Sequence, residues 1–144
     1  MSEVDAQTGI SASTRKKIKW GVAALLLLLA ATVVMNLPRG FSDDLSRIGK
    51  GKPAVVLVRD KNAVESMGLM NLLDGIRGQF AGRVEFLLTD YDTPEGRAFI
   101  AANSAAPITL VLFDAGGKQV KVLTVPQTAA SLQKEITSIT GAKI

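Results

Sequence analysis

Few side chains in this chain could do chemistry, because it contains no cysteine and no histidine. A thiolate nucleophile, a disulfide, a Cys/His zinc site, a haem ligated by either residue and a histidine-based triad all need one of these two residue types. Their absence excludes those chemistries from this chain. It also favours a passive structural part that does not respond to redox conditions.

Three carboxylates lie close together in the sequence, at Asp90, Asp92 and Glu95, and could suggest a cation site. A strand end followed by a helix explains them better. Thr93 is a preferred N-cap residue, Pro94 suits the first turn, and Glu95 would lie beside the positive end of the helix dipole. We therefore expect no metal site, no cofactor and no catalytic residue here.

The basic residues are unevenly distributed in a chain of net charge +4. A cluster at one end of the chain comprises Arg15, Lys16, Lys17 and Lys19. Elsewhere acidic and basic residues are nearly balanced, and no Lys/Arg stripe alternates with aromatic residues. The pattern therefore gives little support for binding to nucleic acid.

An apolar stretch without a charged residue, residues 20–37, follows this cluster, and Asn36 is its only strongly polar side chain. As a helix it would be roughly 27 Å long, which is close to the hydrocarbon thickness of a bilayer. The basic flank predicts that residues 1–19 form a cytoplasmic tail, with Trp20 at the interface. Residues 30–32 resemble a signal-peptide cleavage site, but the apolar run continues beyond them, which favours an uncleaved anchor.

The rest of the chain is predicted to be a linker, residues 38–52, and one domain, residues 53–144. Ser42 could cap a short helix inside the linker. Apolar runs and turn signals predict four strands, at residues 54–58, 83–89, 108–113 and 119–124. Helices are expected at residues 63–80, after Thr93, and at residues 129–139.

The long helix that we expect at residues 63–80 has an apolar face. Residues at helical spacing that could fill a core are Met67, Met70, Leu73, Ile76 and Phe80. If part of this helix were exposed, its methionines would suit a protein interface.

The element order β-α-β-α-β-β-α resembles the thioredoxin fold. Residues 54–58 (A-V-V-L-V) resemble that family's central strand. Residues 71–92 resemble its helix, turn and strand that ends in an acidic residue, and residues 104–118 resemble its proline-led strand and glycine hairpin, with Ile108 as an extra residue after the proline. The resemblance covers roughly residues 53–139. It implies an α/β domain with a central mixed sheet flanked by helices.

The resemblance also shows where this chain departs from the family. It places Ala63, Val64, Glu65 and Ser66 where thioredoxins carry Cys-x-x-Cys. Thiol–disulfide exchange needs thiolates to attack and to leave. Leu57 stands where many thioredoxins bury a carboxylate. We therefore expect a degenerate active-site loop and no enzyme activity.

By the same resemblance, Pro107 corresponds to the family's cis-proline. Ala105, Ala106, Pro107 and Ile108 would then form a groove with residues 59–66, in which exposed backbone could pair with an extended peptide. The alternative is a turn that maintains the fold and binds no ligand.

These features predict a redox-inactive, thioredoxin-like domain on a single-pass helix in a bacterial inner membrane, with the N-terminus in the cytoplasm and the domain in the periplasm. Besides membrane lipid, the expected partner is a larger integral membrane protein complex, which this accessory or scaffold subunit would bind or stabilise at its periplasmic face. The alternative is a chaperone-like peptide-binding or assembly factor that uses the groove beside Pro107.

Overall fold

A computed structural model describes residues 12–36 and 40–141, except for the side chains of residues 35 and 36. The chain divides into two compact units, Met1–Arg39 and Gly40–Ile144. Parts of the expected tail, anchor, linker and C-terminus, at residues 1–11, 37–39 and 142–144, lie outside the described residues.

The described part of the first unit is one helix, α1, Ala12–Asn36. Its segment Ala12–Val34 is long and apolar enough to cross a membrane, and the protein buries none of it. The helix begins before Trp20, where we expected the tail to end. Lysine and arginine are nearly as good helix formers as leucine, so the basic flank continues the helix.

The second unit contains a four-stranded sheet in the order β2-β1-β3-β4. The strand β1 pairs in parallel with β2 and antiparallel with β3, which pairs antiparallel with β4. The elements, in chain order, are β1 Ala54–Arg59, α2 Val64–Arg77, β2 Glu85–Asp90, α3 Pro94–Asn103, β3 Thr109–Phe113, β4 Gln119–Thr124 and α4 Ala129–Ile139, with short 3-10 helices at Leu45–Arg47 and Gly78–Phe80. The predicted order and the mixed α/β sheet are confirmed.

Strand β1 is buried on both faces and lies at the centre of the core. Val55 and Leu57 belong to a cluster that includes residues of α2 and α4. Val56 and Val58 point to the opposite face and pack in a cluster with Phe99 of α3. This alternation follows from the two-residue period of a strand. It explains the continuous apolar sequence of β1.

The expected core residues of the helix at residues 63–80 are buried at Leu73, Ile76 and Phe80, and Met67 is the exception. Ser66, Leu69 and Leu73 are buried, whereas Met67 is 56% exposed and Met70 is only partly buried. Since residues three and four apart share a helix face, Leu69 and Leu73 form the core stripe together with Ser66. The prediction that Met67 contributes to the core is wrong.

Residues 40–52, expected to be part of a linker, belong to the second compact unit. The carbonyl of Ser42 accepts a hydrogen bond from the Leu88 N–H at 2.9 Å, at the outer edge of β2. Phe41 packs against the core cluster between the sheet and α2. The short helix of this segment is capped by Asp44 instead of Ser42.

Candidate functional site

The four residues expected to correspond to the Cys-x-x-Cys motif lie where the loop after β1 meets the first turn of α2. Ala63 is the N-cap of α2 but makes no capping hydrogen bond through its side chain, and Val64 and Glu65 are exposed in the first turn. Ser66 is fully buried, and its Oγ accepts a hydrogen bond from the Asp60 N–H at 3.0 Å. This serine holds the loop and cannot act as an accessible nucleophile.

The second predicted segment, residues 105–108, lies at the same end of β1 as this loop. The Ile108 N–H donates to the Val58 carbonyl at 2.8 Å, immediately before Arg59 begins the loop. The Thr109 hydroxyl donates to the Ala106 carbonyl at 2.7 Å and closes the turn. The structure therefore brings residues 59–66 and 105–108 to one end of the sheet.

The bend at residues 105–108 is not made by a cis-proline. Among the described residues the cis peptide bond is Val125–Pro126, so the bond before Pro107 is trans, unlike the family's proline to which the resemblance matched it. The chain turns at Ile108 instead, which has a φ of 62°. This left-handed conformation is unusual for a β-branched residue. The extra residue noted after Pro107 is therefore the one that makes the bend.

An apolar surface occupies the start of α2. Val64 is 79% exposed and Met67 is 56% exposed. Val64, Gly68 and Leu72 are spaced four residues apart, so they run along one side of the helix. We call the surface formed by Val64, Met67, Gly68 and Leu72 the α2 crest; Leu72, at its far end, is half-buried and packs against the core.

Beside the α2 crest lies a groove of about 200 Å³. It lies between α2 and the loop that joins β4 to α4. The residues that line it are Glu65, Gly68, Leu69, Leu72, Val125, Pro126 and Gln127. The lining is mostly apolar, with Glu65 as its one charged residue. The end of α2 that carries cysteines in thioredoxins thus presents an apolar surface in this chain.

A second cluster joins the ends of β1 and β2, where Arg59 and Asp90 are register partners. Arg59 Nε and Nη2 donate to the two Asp90 oxygens at 2.6 and 3.1 Å, and Lys61 Nζ lies 3.0 Å from Asp90 Oδ2. The hydrogen bonds from the Arg59 guanidinium hold the pKa of Asp90 below its usual value, although partial burial opposes the shift. The paired carboxylate raises the pKa of Arg59. Asp90 is thus a stable anion in an ion pair, unsuited to donating a proton.

The expected cap of the following helix is confirmed. The Thr93 hydroxyl accepts a hydrogen bond from the Gly96 N–H at 3.0 Å and donates to the Asp90 carbonyl at 2.8 Å. Pro94 and Glu95 occupy the first turn of α3. These contacts tie the end of β2 at Asp90 to the start of α3.

A cleft of about 460 Å³ lies beside this cluster. Its lining includes Phe41 and Leu88 together with the carboxylates Asp43, Asp90 and Glu95. Asp90 is already neutralised by Arg59 and Lys61, and the acidic residues of the described chain form no group that could hold a metal ion. The cleft is also lined by Arg59, Thr89 and Thr93, so most of its lining residues are polar or charged.

The predicted membrane flank lies on α1. Arg15, Lys16, Lys17, Lys19 and Trp20 are all exposed on that helix. The structure places them in its first turns, continuous with the apolar segment.

Comparison with solved structures identifies the fold of the second unit. No protein-family model and no curated protein sequence matches the chain. An uncharacterised thioredoxin-like protein from Clostridium perfringens superposes with a TM-score of 0.61 at 12% identity, over 69% of this chain and 80% of that one. The second unit has a thioredoxin-like fold.

Two further structures support this assignment. A mutant thioredoxin from Halobacterium salinarum gives a TM-score of 0.57 at 21% identity, over 71% of this chain and 85% of that one. Trxlp from Edwardsiella tarda gives a TM-score of 0.53 at 17% identity, over 63% of this chain and 87% of that one. Identities at this level show the thioredoxin-like fold alone.

Sequence reasoning missed part of the apolar surface. It gave no role to Val125 or Pro126, which line the groove beside α2. An apolar residue and a proline between a strand and the Thr128 cap were a usable signal, because such a pair must lie in the loop at the end of the sheet. This pair of residues did not show, however, which side of α2 the loop faces.

Proposed function

We propose that this chain is a non-catalytic, membrane-anchored accessory subunit whose thioredoxin-like domain binds a larger integral membrane protein complex at its periplasmic face. One observation carries the proposal. The α2 crest and its groove expose apolar side chains at the end of α2 where the family resemblance places the reactive cysteines.

The α2 crest suits a protein partner because its exposed groups are adjacent. Single exposed apolar residues are common on protein surfaces, whereas a contiguous patch beside a groove is typical of an interaction site. Met67 has a flexible, polarisable side chain that adapts to a partner's shape. Burying the Val64 side chain against a partner would contribute about 1.5 kcal/mol or more to the free energy of binding.

The anchor makes a small interface sufficient. Confinement to the same membrane gives two proteins a high effective concentration, so the domain needs little intrinsic affinity for its neighbour. In this proposal α1 spans a bacterial inner membrane with Arg15, Lys16, Lys17 and Lys19 in the cytoplasm. The thioredoxin-like domain then lies in the periplasm.

A redox role has no chemical basis in this chain. Ser66 is buried and engaged by Asp60, and Ala63 and Val64 have no nucleophilic atom. A carboxylate held ionised by Arg59 does not replace a thiol. The proposal therefore assigns no catalytic residue.

A chaperone-like peptide binder that uses the groove beside Pro107 is the second candidate. Ala106 and Pro107 are exposed there. However, the Ile108 N–H is already bonded to Val58, so this backbone donor is not free for an added strand. The groove beside Pro107 therefore has less support than the α2 crest.

The test is purification of the tagged full-length chain from its native membrane in mild detergent, followed by size separation and mass spectrometry. We expect one large assembly of fixed stoichiometry. V64S should weaken the assembly about tenfold, since about 1.4 kcal/mol corresponds to that factor.

The matched control is V120S, because Val120 is also exposed, at 53%, but lies on β4. We expect V120S to retain the partner. A wild-type chain that elutes alone would overturn the proposal. Varied clients in place of one assembly would favour the chaperone-like role.

A further inference from the structure

Helix α1 has a shallow concavity at its basic end. Its volume is about 210 Å³, and Lys19, Trp20 and Ala23 line it. The Trp20 side chain is 72% exposed. The small side chain of Ala23 leaves the space between the indole and the aliphatic stem of Lys19 open.

Lys16 lies about one helical turn from Lys19 toward the N-terminus. Lys16, Lys19, Trp20 and Ala23 have the spacing i, i+3, i+4 and i+7, which places them on one face of a helix. At about 100° per residue, Lys17 lies roughly 160° around the helix from Lys19. The positive charges are therefore not equivalent, because Lys16 and Lys19 share the helix face that carries the concavity whereas Lys17 does not.

The charge of this face is not neutralised within the helix. The sequence of α1 contains no aspartate or glutamate. Two ammonium groups beside an indole N–H form a donor set that suits a phosphate group. Below them, Ala23 and the exposed Leu27 continue the same face with apolar surface suited to an acyl chain.

We propose that Lys16, Lys19, Trp20 and Ala23 form a binding site for an anionic phospholipid in the leaflet nearest the N-terminus. The phosphate lies between the two lysines, and one acyl chain occupies the concavity beside Trp20. This inference rests on the membrane insertion assumed in the proposed function. It goes beyond the general preference for basic residues on the cytoplasmic side, because that preference does not depend on the helix face.

Trp20 makes the site directly measurable, since it is the one tryptophan in the chain. The full-length protein is reconstituted in vesicles of phosphatidylcholine that contain a minor fraction of phosphatidylglycerol. Bromine atoms near the head of the acyl chains quench tryptophan at short range. Tryptophan quenching is measured in two kinds of vesicle. In one the phosphatidylglycerol is brominated, and in the other an equal fraction of the phosphatidylcholine is brominated instead.

We expect brominated phosphatidylglycerol to quench more strongly, with an apparent preference of about fivefold for each lysine that contacts the phosphate. K19Q should lower this preference several-fold, and K17Q should leave most of it. The two variants remove the same charge from different faces.

A second matched pair tests the concavity without changing the charge. A23L fills the space beside Trp20, whereas A24L adds the same side chain about 100° away. We expect A23L to lower the preference for phosphatidylglycerol and A24L to retain it.

Three outcomes would overturn the site. Equal quenching by the two lipids would show an inserted helix without lipid selectivity. Equal losses in K19Q and K17Q would show a diffuse charge effect. Absence of quenching by either lipid would show that α1 is not inserted, and would overturn the membrane-anchored part of the proposed function as well.

Discussion

Asp90 accepts charge-assisted hydrogen bonds from Arg59. Two of its neighbours, Arg59 and Lys61, are cationic, and the Arg59 contact is bidentate. Charge-assisted hydrogen bonds of this geometry are about twice as strong as neutral ones. The pair joins the ends of β1 and β2 and thereby supports the loop that leads to α2.

We predict that D90N destabilises the domain by about 2 kcal/mol at neutral pH, because it leaves Arg59 without its charged partner. The control is D74N. Asp74 is exposed and pairs with Arg77 within a single helix turn. D74N should therefore lower the free energy of unfolding by less than about 0.5 kcal/mol. Urea unfolding of the full-length chain in detergent measures both. Equal losses would contradict the role assigned to Asp90.

The lowered pKa of Asp90 also sets a pH dependence. A carboxyl whose pKa is lower in the folded state contributes stability above its unfolded value, about 3.9. That contribution is lost as the pH falls from there through the folded value. The stability difference between wild type and D90N should therefore shrink below about pH 4. A difference that is constant across this range would argue against the ion pair.

At the scale of elements, two glycines in helices have opposite roles. A Cβ on Gly96 in α3 would overlap the carbonyl oxygen of Asp90, whereas a Cβ on Gly75 in α2 would meet open space. Gly96 is therefore required for α3 to pack against the end of β2, and Gly75 is not required for packing.

We predict that G96A destabilises the domain by more than about 2 kcal/mol, because the backbone must shift to remove the overlap. G75A should stabilise it by up to about 1 kcal/mol, since alanine is the better helix former. Thermal unfolding would show shifts of opposite sign. Shifts of the same sign would contradict the packing of α3.

The two edges of the sheet are protected in different ways. Ser42 bonds to Leu88 at the edge of β2, so the segment that follows α1 covers that edge. The β4 edge carries Lys121, and its pairing with β3 shifts register between Leu112 and Phe113. Lysines and bulges on edge strands oppose unwanted strand pairing. The α2 crest is accordingly a better candidate interface than either edge.

At the scale of the whole molecule, the absence of cysteine allows the proposed orientation to be tested with single introduced thiols. Ala12 begins α1, and Ala115 lies in the exposed turn between β3 and β4. In intact cells, a membrane-impermeant maleimide should label A115C but not A12C. Both should react after the membrane is permeabilised. If only A12C were labelled in intact cells, the orientation would be the opposite of the proposed one.

Local patterns in the sequence predicted most of the fold. The apolar run of β1, the Thr93-Pro94 start of α3 and the bounds of β4 and α4 depend on interactions between residues a few positions apart, so they can be read directly from the chain. The absence of thiol chemistry is still more direct, since it needs only the composition.

Contacts between distant residues decided the rest. Which side of α2 is buried depends on the sheet and α4 together, and periodicity alone assigned the exposed Met67 to the core. The bend at Ile108 depends on the hydrogen bond from its N–H to the Val58 carbonyl. The packing of Phe41 depends on core residues that come much later in the chain.

The candidate surface illustrates the same division. By itself, the sequence determined that no cysteine or histidine could serve at the start of α2. Only the tertiary structure placed Val125 and Pro126 beside Leu72 to form the groove. It also buried Ser66, whose Oγ accepts a hydrogen bond from the Asp60 N–H. The physical reason is that composition limits which chemistry is available, whereas exposure and grooves arise from packing among residues that are far apart in the chain.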